Sequence, residues 1–340
     1  MKLARRPVAL LAGLTALALV TTGCAANLTP QDLTGVISLN PVVPAGMTSG
    51  QAALSGTQST PGNCGDPTRS LAPQGLPQPG QMPNGSTMAT IYQRGYLTAG
   101  VDQSTFLWGY LNPLTSQLEG FDIDVVNAVA HAIFGPDITN RVQFRAITSQ
   151  QRVGSLTGDA SDPQVDMVVR TFTVNCQREQ QGVRFSSVYY DAQQRLLVAK
   201  DSNATGIDDL GGKKVCAAAG SDSLPRIAAA PTHPVPVAVG DWSDCLVMLQ
   251  QGQVDAIATD DAILAGMAAQ DPNTKVVGPS MGDEPYGIGM RQDSTDFVRF
   301  VNAVLEQFRN SPSGWTQSYN TWLASRLGPS AGPPSPKYSD

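Results

Sequence analysis

Along most of the chain, short apolar runs alternate with longer stretches in which apolar residues recur at helical spacing. The runs "YLTAGVD" (96–102), "VQFRAI" (142–147), "DMVVRT" (166–171), "RLLVAK" (195–200), "KKVCAAA" (213–219), "VDAIAT" (254–259), "TKVVG" (274–278) and "YGIGMR" (286–291) predict strands. Helices are predicted for "FDIDVVNAVAHAIFG" (121–135), "WSDCLVMLQQG" (242–252), "DDAILAGMAAQ" (260–270) and two closing segments at 295–309 and 315–326. Strands separated by helices imply βαβ units, hence an α/β fold with parallel sheets. No short-period repeat interrupts the pattern.

The ends differ. Residues 1–23 combine a basic start (Lys2, Arg5, Arg6) with an apolar run from Val8 to Val20 and small residues before Cys24. The run is shorter than the ~20 residues that cross a bilayer, so it reads as a secretory leader. Thr22-Gly23-Cys24 resembles a bacterial lipobox, with Thr21 where leucine is usual, which makes Cys24 the candidate lipidation site; the alternative is plain leader cleavage ahead of a chance cysteine. From 24 to 86 the chain is rich in Gly, Pro, Ser, Thr and Gln and is expected to be a flexible tether, with roughly 35 Å between Cys24 and Cys64 by the random-coil rule. Residues 328–340, "GPSAGPPSPKYSD", are expected to be a second disordered end.

Charge and cysteines narrow the function. Loss of the leader removes three of 22 basic residues and none of 28 acidic ones, moving the net charge from −6 to −9. Such a surface disfavours nucleic acid. If Cys24 carries lipid, four cysteines remain in an exported chain, Cys64, Cys176, Cys216 and Cys245, which suggests two disulfides. His131 and His233 lie far apart and no CxxC occurs, so no metal or other cofactor is expected. There is also no G-x-S-x-G or phosphate-loop spacing.

In open α/β sheets, ligands gather beyond the carboxyl ends of strands. Here those ends carry Asp102, Arg170 with Thr171, Gly220 with Ser221, and Asp260. Each alone fits a turn or a cap. Spread over four strands, they outline a binding cleft.

From about Arg94 to Leu327 the chain resembles the extracellular solute-binding proteins for polar amino acids. The matching segments are "RGYLTAGVD", "LEGFDIDVVNAVA", "QVDMVVRTFTVNCQRE", "VRFSSVYY", "IDDLGGKKVCAAAGS", "LQQGQVDAIATDD", "VVGPSMGDEPYGIGM" and "WTQSYNTWL". With its lipobox, tether and four further cysteines it is most similar to the actinobacterial glutamine-binding lipoproteins.

The resemblance implies a periplasmic-binding-protein type 2 fold: one lobe from 87–194 and 288–327, a second from 195–287, and two crossing hinge strands near 191–197 and 285–289. A ligand held between the lobes would draw them closed. Thr173 and Arg178 match the positions that take the ligand α-carboxylate, for which a planar guanidinium is suited. Gly220 and Ser221 would add backbone N–H groups, Asp260 would take the α-ammonium, and a carbonyl near Thr171 another of its protons. Asp102 matches a side-chain-reading position, and Trp108 and Tyr110 match cleft-wall aromatics. Arg170 and Thr171 stand where the glutamine-binding pattern has small residues, and Ala218 where it has a side-chain-reading lysine. Arg170 or Arg195 could replace that charge; Arg170 could equally form a rim salt bridge.

The resulting expectation is a lipid-anchored, extracytoplasmic, non-catalytic monomer. It would bind aspartate, glutamate, asparagine or glutamine and serve either an ABC importer permease or a membrane sensor. A prephenate-type dehydratase on the same fold is the rival reading. It needs a cleft acid or base, and the strand ends offer Asp102 and Asp260 but no histidine or glutamate. Within the two-lobe arrangement, Cys216 lies on a strand and Cys245 early in a helix that packs on that sheet, so these two are expected to pair. Cys64 would then bond Cys176, the alternative pairing having to reach across the lobes.

Overall fold

The computed structural model describes residues 42–55 and 64–339. The expected leader and Cys24 lie outside the described residues. Among the latter, no helix is long and apolar enough to cross a membrane.

Two sheets organise the molecule. The first lobe's sheet runs in the order Val142–Ala146, Leu97–Val101, Met167–Val168, Gly289–Arg291, Val183–Phe185, the first three parallel and Gly289–Arg291 antiparallel to both its neighbours. Every side chain of Leu97–Val101 is buried, as a strand covered on both faces requires. Helix Phe121–Phe134 packs Phe121, Val125, Val126, Val129 and Ile133 on this core, and the amphipathic helix Thr295–Asn310 adds Phe297, Val301 and Leu305.

The second lobe's sheet is ordered Thr48–Ser49, Val235–Val239, Lys214–Ala218, Ala256–Asp260, Tyr190–Ala199, Thr274–Val277. The ten-residue strand Tyr190–Ala199 is shared between two partnerships. Its first half pairs with Asp283–Tyr286, and its second half with Ala256–Asp260 and Thr274–Val277. Thr173 bridges Tyr286, which brings the first lobe's chain onto the same ribbon.

Two expectations about the ends do not hold over the described residues. Thr48–Ser49 adds an antiparallel edge strand against Val237–Ala238, and the following 3₁₀ turn Gly50–Leu54 buries Ala53. Arg69–Ser70 pairs in parallel with Lys337–Tyr338, so part of the supposed tether and part of the supposed tail order each other. Asn302 Nδ2 donates to Ser70 Oγ (2.8 Å) and to the Leu71 carbonyl (2.7 Å), while Ser70 Oγ donates to the Phe185 carbonyl (2.8 Å). Backbone pairing, buried amide contacts and a disulfide hold these segments, and a reading based on apolar content is blind to all three.

Both disulfides join the expected pairs, Cys64–Cys176 and Cys216–Cys245. Cys216 and Cys245 are fully buried between the Lys214–Ala218 strand and the Trp242–Gln250 helix. Replacing both by alanine is expected to lower the unfolding free energy by about 2–4 kcal/mol, measured by urea titration of the oxidised wild type against the double variant.

Candidate functional site

The carboxyl ends of the strands meet between the lobes, and the lobes touch there. A Cβ on Gly220 would lie 2.6 Å from Gln150 Cα, and one on Gly266 would lie 2.5 Å from the Phe106 carbonyl oxygen. Gly220 also has φ +74°, a conformation few side chains tolerate. Glycine at both points lets the two backbones approach.

Three linked polar groups fill this interface. In the first, Arg170 is fully buried, not at a rim: its Nη2 meets Asp102 Oδ2 at 2.9 Å and Asp241 Oδ1 at 3.5 Å, Nε donates to the Ile147 carbonyl, and Nη1 to Ser149 Oγ. Asp102 also accepts from Gln103 N (2.7 Å), Ser104 N (2.9 Å), Ser104 Oγ and Thr105 Oγ1. Its acceptor capacity is thereby used within the protein, contrary to the expected side-chain-reading role.

In the second group, Arg178 and Arg152 flank the Phe172 ring, their guanidinium carbons 4.9 and 4.6 Å from its centroid. Arg178 comes from the short helix Cys176–Gln180, whose cap Asn175 accepts from Arg178 N (2.9 Å) and whose first residue is the disulfide-bonded Cys176. Arg178 Nη1 donates to the Thr173 carbonyl, and Nη2 contacts Asp222 Oδ1 (3.1 Å) and the Gly220 carbonyl (3.4 Å). Arg152 is also buried and donates to the carbonyls of Ser149, Arg170, Thr171 and Gly220. Burial, followed by the charges of Arg178 and Arg170, pushes its pKa down.

In the third group, Thr173 Oγ1 donates to Glu284, Arg226 pairs with the same carboxylate and donates to Gln194 Oε1 (2.8 Å), and Tyr286 donates to Asp260. Burial raises the pKa of Glu284 to about 7, with the charge of Asp222 adding to the rise. Burial and then the charge of Glu284 raise that of Asp260. Thr173 thus links the groups, its carbonyl on Arg178 and its hydroxyl on Glu284. Gln194 Nε2 is buried with no partner.

Several expected site residues are placed elsewhere or oriented differently. Tyr110 lies on the Gly109–Leu111 hairpin strand, bonds Glu119 and packs on Phe106 and Trp322, away from these groups. Arg195 follows Gln194 on the strand and so faces the opposite side of the sheet, where its Nε donates to the Gly278 carbonyl (2.9 Å). The N–H and hydroxyl of Ser221 both turn back to the Ala218 carbonyl, and Gly220 offers its carbonyl to the arginines. The Thr171 carbonyl is taken by Arg152, and its N–H, at φ +41°, by Asp122 (2.8 Å). Trp108 is fully buried edge-on to Tyr190 and Tyr286, with centroids 4.8 and 5.3 Å away.

Sequence reading missed Arg152, Asp222 and Glu284. Arg152 follows the Val142–Ala146 strand by six residues, so the strand-end rule that found Arg170 also reaches it. Glu284 sits on a crossing strand and puts a glutamate where none was expected.

A cavity of about 110 Å³ opens beside Ser149, Gln150, Phe172, Arg178, Gly220 and Asp222. A larger groove of about 850 Å³ runs over the outside of the first lobe past Asp124, His131 and Trp322. None of the three polar groups lines it, so we place the candidate site at the smaller one.

Two sheets joined by crossing strands, with a charged interface at their strand ends, define a hinged two-lobe binding protein. The chain belongs to the bacterial extracellular solute-binding proteins, family 3, whose model matches residues 97–325. Members of this family act outside the cytoplasm as binding proteins, not enzymes, and the dehydratase reading falls away. The chain is 34% identical over 239 residues to the ABC transporter glutamine-binding protein of Bacillus subtilis (strain 168), covering 70% of this chain and 84% of that one. It is 29% identical to a glutamate-binding protein of Corynebacterium efficiens, over 67% of this chain and 79% of that protein. Among solved structures, an ancestral arginine-binding protein bound to glutamine is similar at TM-score 0.59 and 27% identity, over 68% of this chain and 98% of that one.

Asp122 supports the site from beneath, accepting from Thr171 N and from Tyr189 Oη (2.7 Å). Burial raises its pKa from 3.8 to about 7. The folded state therefore holds this proton more tightly than the unfolded one, and the stability this contributes at low pH is lost as pH rises from 3.8 to about 7. Urea midpoints at about pH 5 and about pH 8 are expected to fall with pH in the wild type and to fall less in Asp122→Asn.

Proposed function

We propose that the protein captures a polar L-amino acid of the aspartate, glutamate, asparagine and glutamine group between its lobes. It then presents the closed complex to a membrane partner, either an ABC importer permease or a sensor, while a lipid on Cys24 holds it at the outer face of the cell membrane as a monomer. The observation that carries this reading is that Thr173 joins the buried Arg178, through its carbonyl, to the buried acid Glu284, through its hydroxyl, with Arg152 against the same Phe172 ring as Arg178 and Asp260 close enough to Glu284 to feel its charge. Guanidinium and carboxyl groups match the two ends of a zwitterion, with the α-carboxylate on Arg178 and the α-ammonium on the acid pair, whose raised pKa values it would lower on binding. The second arginine and the unpaired Gln194 Nε2 add donors for a side-chain oxygen, which acidic and amide side chains possess and aliphatic ones lack. Two of the relatives, a glutamine-binding and a glutamate-binding protein, support that class.

A ligand that leaves a buried polar group unpaired loses about 1–3 kcal/mol, which disfavours leucine or valine by roughly ten- to a hundredfold. A thermal-shift screen of the twenty amino acids is expected to rank the four named ligands first. Stronger shifts with lysine, arginine or an aliphatic amino acid would contradict the class. Arg178→Ala is expected to raise the dissociation constant at least a hundredfold by calorimetry, since removing one partner of a buried charge pair costs about 3–5 kcal/mol.

A further inference from the structure

Asp222 stands at the N-terminus of helix Ser223–Ala229, where an aspartate ordinarily accepts a backbone N–H of the first turn. Its side chain makes no such bond. It reaches instead from the second lobe to the first. Asn175 Nδ2 donates to both its oxygens (3.1 and 2.9 Å), and Arg178 Nη2 and Nη1 lie 3.1 and 3.4 Å from Oδ1 and Oδ2. The carboxylate is mostly buried, and it sits on the guanidinium to which the ligand α-carboxylate is assigned above.

We infer that Asp222 is an internal competitor for Arg178: it latches the ligand-free lobes together and must be displaced when the ligand carboxylate binds. This rests on the proposed role of Arg178 and concerns a residue that role does not require. Two carboxylates bidding for one guanidinium repel each other, so only one can hold its fork edge in the closed state. With Nη1 already committed to the Thr173 carbonyl, the contested group is Nη2, and both its contacts, Asp222 and the Gly220 carbonyl, come from the second lobe. Releasing Asp222 therefore frees the donor the ligand needs and undoes one of the bonds that keep the unoccupied lobes in contact. The residue tunes affinity without touching the ligand in the bound state.

The test compares wild type, Asp222→Asn and Asp222→Ser by calorimetry with L-aspartate, L-glutamate, L-asparagine and L-glutamine, and by small-angle scattering without ligand. Circular dichroism melts establish that each variant is folded. We expect both variants to bind at least tenfold more tightly than wild type and Asp222→Ser to show a larger ligand-free radius of gyration. Unchanged or weaker binding in both folded variants overturns the inference and makes Asp222 a support or a ligand contact. Wild type that binds none of the four polar amino acids defeats the proposed function separately. The scattering arm then decides alone, and a ligand-free radius unaffected by Asp222→Ser overturns the latch.

Discussion

Three guanidinium groups, those of Arg152, Arg170 and Arg178, are buried where the two lobes meet, and the surrounding structure answers to their desolvation. Unpaired charges of this kind cost several kcal/mol each, so every neighbour must offer an oxygen. Each arginine finds a different solution. Arg170 uses a carboxylate filled by its own lobe, Asp102. Arg152 takes four backbone carbonyls and no direct carboxylate. Arg178 is neutralised from across the cleft by Asp222.

The fold supplies those oxygens through its strand ends. Val168 ends its strand against Gly289 and Gly100, and the chain then leaves the sheet at Arg170 and Thr171, exposing their carbonyls to Arg152. Asp122, at the start of a helix, holds Thr171 in its left-handed conformation by accepting its N–H. On the other side, Asp260 ends the Ala256–Asp260 strand and Glu284 lies on the ribbon that joins the lobes. A site assembled from such ends is aligned by the two sheets that carry them.

The strand and helix pattern was legible because nearly every element is either a continuous apolar run or an amphipathic repeat. Arg178, Thr173 and Asp260, to which the family's segment patterns point, are all buried among the polar groups between the lobes. Tyr110 and Arg195 were misplaced for a geometric reason. Period-two alternation decides which face of a strand a residue occupies, and one step separates Arg195 from the inward-facing Gln194. The sequence pattern singles out neither Arg152 nor Asp222, whose contacts across the lobes span 68 and 44 residues of chain. The N-terminal segment was read as a tether because composition registers side-chain burial, whereas its strands are held by backbone pairing.

The proposed function requires the buried arginine and acid groups to form one amino-acid site. A crystal structure of the protein with L-glutamate tests it most directly. The ligand α-carboxylate is expected on Arg178 with Asp222 displaced, and the ammonium within hydrogen-bond distance of Asp260 or Glu284. Electron density for the ligand in the outer groove by His131 and Trp322, or a bound ligand with the Arg178–Asp222 pair intact, would contradict it.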